Sequence, residues 1–278
     1  MYRQHSIIDS GEILTTILAI RGEDGIVIAA DTQATGRMLE YALKITPIGD
    51  NALLGCSGAA QYISLFTQHV QESLGNPRAG DYYKAVYGAI KSYSREVAGE
   101  NEYSSVLDDT VKNLCCPAGV LAVYDSSERE YHIFEFQTPR PPNLVKYPNR
   151  ASVGSGSLAA DILLKNIERM LHRIGLDWVN LSTSLIAQFC VLLLRRIEYV
   201  DPATSGAAIY RLNQSRSEYL SVEHIFGKLG KDDYALTVLI RNAIKEIGPE
   251  KLQQLLKQYN LSSILSSLGL TLPNQLLS

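Results

Sequence analysis

The sequence predicts an α+β protein. The expected architecture is a four-layer αββα sandwich: two antiparallel sheets face to face, each flanked by a helix pair, plus a C-terminal helical extension. Three observations predict it. Short β-type runs are joined by hairpin turn chemistry. Helical periodicity comes twice, each time in two consecutive segments. The order along the chain is strands, two helices, strands, two helices, strands.

Residues 1–14 read as a short leader, mostly polar until Ile13-Leu14. Residues 15–57 alternate β-type runs with turns. Asp24-Gly25 is a strong hairpin signal, and Gly49-Asp50-Asn51 marks a second turn. In the first helix Ile63, Phe66, Val70 and Leu74 share a face, and Gly75 with Pro77 ends it. In the second, Tyr82, Val86, Ile90, Tyr93 and Val97 do the same, with an end expected before Gly99. Strands are predicted at 120–124 and 131–136. A loop rich in proline (Pro139, Pro141, Pro142, Pro148) follows them. Two further helices are predicted over residues 158–171 and 182–200, with Ser182 as N-cap of the second. The last strands fall at 207–210 and near 219–222. Leu236, Leu239, Ile240, Ile244 and Ile247 then give a helical pattern. The domain is therefore drawn at 15–225 and the extension at 226–278.

The bulk numbers exclude several classes. The chain has 278 residues and 46% hydrophobic content, ample for a substantial core. Net charge is −3 with the signs mixed, so no nucleic-acid partner is expected. No apolar run reaches the ~20 residues of a membrane span. The start at Met1-Tyr2-Arg3-Gln4-His5 lacks signal-peptide character, so no membrane partner and a cytoplasmic location are expected. Cys56, Cys115, Cys116 and Cys190 match neither zinc nor redox spacing and read as reduced, buried thiols. The five histidines are scattered, with no His-Glu-x-x-His, so neither a metal nor a cofactor is expected.

Thr15-Thr16 opens the first β-type run. A threonine that becomes residue one after a cut between Leu14 and Thr15 carries nucleophile and base together. Its hydroxyl attacks an amide and its free α-amine takes the proton. Uncut, Thr15 is an ordinary strand residue. The other candidates have ordinary readings when taken singly: Asp31 a turn or cap, Lys44 a solvated cation, Gly58 a helix-entry glycine, Asp201 before Pro202 a helix-end turn. Gly154-Ser155-Gly156-Ser157 resembles a dinucleotide fingerprint, but two consecutive helices follow where that motif needs helix then strand.

Together these residues change the reading. Thr15-Thr16-Ile17, Asp24-Gly25, Ala29-Ala30-Asp31-Thr32 and the later motifs resemble a proteasome β-type subunit, an N-terminal-nucleophile hydrolase, over roughly residues 15–223. In that family an aspartate lies sixteen residues after the nucleophile, as Asp31 does from Thr15. A lysine lies fourteen residues before the oxyanion glycine, as Lys44 does from Gly58, although the stretch from Asp31 to Lys44 is about three residues short. The resemblance implies Thr15 as nucleophile, Lys44 polarising it, Asp31 holding Lys44, and the Gly58 amide donating to the oxyanion. It implies Ser155, Asp201 and Thr204 around the free amine. Ser205-Gly206 stands where the family usually shows two glycines.

It further implies Thr35 and Ala60 as hydrogen-bonding partners of a substrate strand, and Ala34, Ala42, Cys56 and Ala60 as a small, uncharged specificity pocket. The expected activity is therefore a threonine-type endopeptidase made as a precursor. Its substrate would be a peptide or unfolded protein, and its setting a homo- or hetero-oligomeric ring, with or without α-type subunits. Two alternatives stand beside it. One is a silent ring subunit that keeps its leader, favoured by Leu14 where active members generally carry glycine. The other is a small-molecule amidase on the same scaffold.

Overall fold

Thr16–Arg21 (β1) and Ile26–Ala30 (β2) form the antiparallel hairpin that Asp24-Gly25 predicts. Glycine is needed at 25 for space: a Cβ there would lie 2.3 Å from the carbonyl oxygen of Leu212. In this computed structural model the described residues are 15–34, 40–41, 44–75, 81–100, 116–146, 149–201, 205–214, 216–222 and 225. The predicted leader and C-terminal extension lie outside them.

Further along, Gln33–Ala34 (β3) pairs with Glu40–Tyr41 (β4) in a small ribbon. Ile45–Ile48 (β5) and Ala52–Ser57 (β6) form the second hairpin, turned by Gly49 at φ +60°. Helices Ala60–Leu74 (α1) and Tyr82–Glu100 (α2) follow. Next come strands Ala118–Asp125 (β7), Glu130–Gln137 (β8), Asn143–Leu144 (β9) and Arg150–Gly154 (β10). Helices Ser157–Arg173 (α3) and Thr183–Glu198 (α4) precede the final hairpin, Ala208–Leu212 (β11) and Ser217–Leu220 (β12). One five-stranded sheet has the order β10-β1-β2-β11-β12 and the other β5-β6-β7-β8-β9, every pair antiparallel.

The central strands are apolar on both faces because both faces are covered. Along β1 and β2, Ile17, Ala19, Ile28 and Ala30 point between the sheets, with Leu53, Val120 and Ala122 from the facing sheet. The alternate residues Leu18, Ile20, Val27 and Ala29 pack under α3 and α4 against Leu164, Leu171, Leu185 and Phe189. On the other sheet Leu54, Cys56, Leu121 and Val123 face Phe66, Val86, Ile90 and Tyr93 of α1 and α2. Each large apolar side chain buried this way contributes roughly 1.5–3 kcal/mol. These layers are the αββα sandwich that the element order predicts. Among the described residues no helix is long and apolar enough to cross a membrane.

Several boundaries differ from expectation. Helix α2 runs through Gly99 to Glu100, because one glycine costs a helix only about 1 kcal/mol and does not stop it. Strand β12 starts at Ser217 and ends at Leu220, so Ser221 and Val222 are not in it. Strands β9 and β10 are additions. Strand β10 evaded pattern reading because it opens on a buried arginine: Arg150 is 7% exposed.

Candidate active site

The site forms where β1 begins. Antiparallel neighbours end where β1 starts, so the C-terminal ends of β10 and β2 flank it. Thr16 pairs with Gly154 on one side and Ile17 with Ala30 on the other. The next residues of those neighbours, Ser155 and Asp31, are thereby brought to Thr15. Thr15, Thr16 and Asp31 are fully buried.

Asp31 is the hub. Its carboxylate accepts from Lys44 Nζ at 2.6 Å and from the Thr16 backbone N–H at 2.7 Å. The Gln33 backbone N–H also donates to it. Lys44 arrives from the opposite sheet, immediately before β5, and its carbonyl accepts from the Cys56 N–H at 2.9 Å. The Lys44 and Asp31 side chains are 2% and 0% exposed. Burial pushes the Asp31 carboxyl above its ordinary value and the Lys44 ammonium below its own, and the contact between them opposes both shifts. The Asp201 carboxylate also favours the charged form of Lys44.

On the other side of β1, the Thr15 N–H donates to Ser155 Oγ at 3.1 Å. The single hydroxyl proton of Ser155 has two acceptors in reach, Asp201 Oδ2 at 3.3 Å and the Thr15 carbonyl at 3.4 Å. This approach needs glycine on both sides of Ser155. A Cβ on Gly154, which sits at φ +102°, would lie 1.9 Å from the Thr15 carbonyl oxygen. One on Gly156 would lie 2.0 Å from Thr16 Oγ1. The Ser205-Gly206 turn docks on the end of β2. Thr32 N–H donates to the Ser205 carbonyl at 3.0 Å, and a Cβ on Gly206 (φ +70°) would meet Thr32 Oγ1 at 2.2 Å.

Gly58 ends β6 at φ +138°, two residues before α1, a backbone conformation that L side chains rarely adopt. Ala60 is exposed at the first position of α1. Cys56 is 1% exposed, in the layer beneath α1 and α2, where burial alone pushes its thiol far up. Ala34 lies in the β3–β4 ribbon, its backbone opposite Glu40. Thr35, Ala42 and Thr204 lie outside the described residues. The structure thus brings Thr15, Asp31, Lys44, Ser155 and Asp201 into one continuous network. It adds Thr16 and Gln33, whose contributions are backbone N–H groups and leave no mark on residue type.

Residues 14–104 match the family model described as Proteasome subunit. Over that segment the chain is similar to proteasome subunits. No curated protein matches the chain. The matched segment holds Thr15, Asp31, Lys44 and Gly58. Ser155 and Asp201 lie beyond it and join the same network through the hydrogen bonds of β10 and the turn that follows it.

Proposed function

We propose that this chain is a proteasome-type subunit and a threonine endopeptidase, released as an active form by cleavage between Leu14 and Thr15. The parts are then a leader at 1–14, a catalytic domain at 15–225 and an extension at 226–278. The observation that carries the reading is the pairing of two hydrogen-bonded groups across one residue: Ser155–Asp201 at Thr15 N, and Asp31–Lys44 at the neighbouring Thr16 N.

Cleavage would turn the Thr15 amide nitrogen into a free amine 3.1 Å from Ser155 Oγ. Thr15 Oγ attacks the scissile carbonyl while the amine or Lys44 takes its proton. Burial disfavours the protonated form of Lys44. The tetrahedral oxyanion is received by the Gly58 amide, a donor worth roughly 3 kcal/mol of barrier in comparable sites. Collapse expels the amine product, which takes up the proton and leaves an ester on Thr15. Water then hydrolyses the ester and restores the hydroxyl. The family resemblance assigns Thr204 to the surroundings of the Thr15 amine. Thr35 and Ala60 hold the substrate backbone as an added strand. The family resemblance assigns Ala34, Ala42 and Ala60 to a small uncharged pocket suited to bulky apolar side chains; Cys56, buried beneath α1 and α2, is a core residue and does not line it. The chain works in a ring, in the cytoplasm, on peptides or unfolded protein.

A second reading, a silent ring subunit that keeps its leader, is favoured by Leu14, since a β-carbon restricts the backbone beside the bond to be cut. Intact mass and N-terminal sequencing separate the two, run on the wild type and on Thr15→Ala. Expected are a wild-type species starting at Thr15, an uncut Thr15→Ala chain, and at least ~10³-fold loss of fluorogenic-peptide turnover in the variant. A wild type found only at full length, with no turnover, would replace the enzyme reading by the scaffold one.

A further inference from the structure

Among the described residues strand β10 lies at the edge of its sheet, with β1 as its strand neighbour. Its alternation puts Ala151 and Val153 between the sheets, so Arg150 and Ser152 face α3. There they meet a polar cluster. Arg150 donates from Nε to Glu168 Oε1 at 2.5 Å, from Nη2 to Glu168 Oε2 at 3.3 Å, and from Nη1 to Asp161 Oδ1 at 2.7 Å. Ser152 Oγ donates to the same Asp161 oxygen at 2.7 Å. Trp178 Nε1 donates to Glu168 Oε1 at 3.0 Å. Arg150 and Glu168 are 7% and 8% exposed.

Such a cluster is a poor source of stability, because desolvating the charges offsets most of their attraction. It is a good source of geometry, since a guanidinium holding two carboxylates fixes three directions at once. What it fixes is specific. Arg150 and Ser152 precede the 154–156 turn on the strand side, and Asp161 follows it one turn into α3. That turn carries Ser155 between two glycines, the residues least able to set their own conformation. The geometry must come from the flanks.

We propose that Arg150, with Asp161, Glu168 and Ser152, is a positioning cluster that sets the 154–156 turn and so aims Ser155 at the nitrogen of Thr15. This rests on the peptidase reading for its kinetic consequence, though not for its structural one. Arg150→Lys tests it, because a single ammonium cannot span both carboxylates in two planes. Two measurements keep the outcomes apart.

In the uncut Thr15→Ala chain, which needs no activity, residue-resolved amide exchange is followed with and without Arg150→Lys. The 155–157 amides are expected to exchange roughly tenfold faster, with β2 and β6 unchanged. In the processed enzyme, Arg150→Lys is expected to lower kcat by roughly 10- to 10²-fold with KM nearly constant. Placed on Ser155→Ala, it is expected to lower kcat by less than about twofold further. Unchanged exchange at 155–157 overturns the proposal whether or not the protein is an enzyme. So does an equal loss of kcat in both backgrounds. If the wild type turns over no peptide while exchange rises, the peptidase reading falls and the positioning cluster stands.

Discussion

At the residue scale, the Lys44–Asp31 pair is the buried charged centre of the network at the start of β1. Each ion has been taken out of water, and each is tolerable only with the other present. Asp31→Asn leaves a buried ammonium without its counter-charge, and a loss of about 3–5 kcal/mol in urea unfolding is expected. Asp31→Asn with Lys44→Met removes both charges and should recover most of that loss without restoring peptide turnover. Equal destabilisation by the single and the double change would mean that the two charges do not depend on each other. That Thr15, Asp31, Lys44, Ser155 and Asp201 come together was legible in the sequence, because residue identity at set spacings and the family resemblance both point to side chains. Thr16 and Gln33 were not, because a backbone N–H is common to every residue but proline. The demand for glycine at 154 and 156 was half-legible: the motif shows the residues, but only the 1.9 and 2.0 Å approaches show what a Cβ would strike.

At the scale of elements, most of the fold was legible and its joints were not. Turn chemistry located the first two hairpins and period-3.6 patterns the four described α-helices, and Ser182 caps α4 as expected, its Oγ accepting from Leu185 N–H at 3.2 Å. The same helix start has a second cap that no local rule reveals. Asp24, in the β1–β2 turn, accepts from Thr183 N–H at 2.7 Å and from Thr183 Oγ1 at 3.0 Å, across 159 residues of sequence. Read locally, Asp24 is only a turn residue; in the fold it fastens the hairpin to α4. Asp24→Ala should therefore cost about 1–2 kcal/mol in denaturant unfolding, the range for losing a charged N-terminal cap. Asp24→Asn, which keeps an acceptor and suits turns equally well, should cost under half as much. If both variants unfold like the wild type, Asp24 serves the turn alone.

At the scale of the whole molecule, the question is whether four layers behave as one. The inter-sheet layer is tightly drawn: a Cβ on Gly55 would already sit 2.9 Å from Ile17 Cγ2 across the gap. Neither sheet can lose its helices without exposing strands that are apolar on both faces, so unfolding of one helix pair should carry the other with it. The chain's one tryptophan makes this measurable. Trp178 lies on the α3–α4 side, edge-on to Phe189 at 5.5 Å. Phe66 lies on the opposite side of the sandwich, fully buried against Tyr93 and Phe136. Phe66→Ala leaves a cavity worth about 3–5 kcal/mol, none of it near the tryptophan. If the layers unfold together, the urea midpoint of Trp178 fluorescence falls with this variant and coincides with that of far-UV circular dichroism. A fluorescence midpoint left at its wild-type value while the dichroism transition splits would mean that the two outer layers unfold independently, with the inter-sheet contacts too weak to join them.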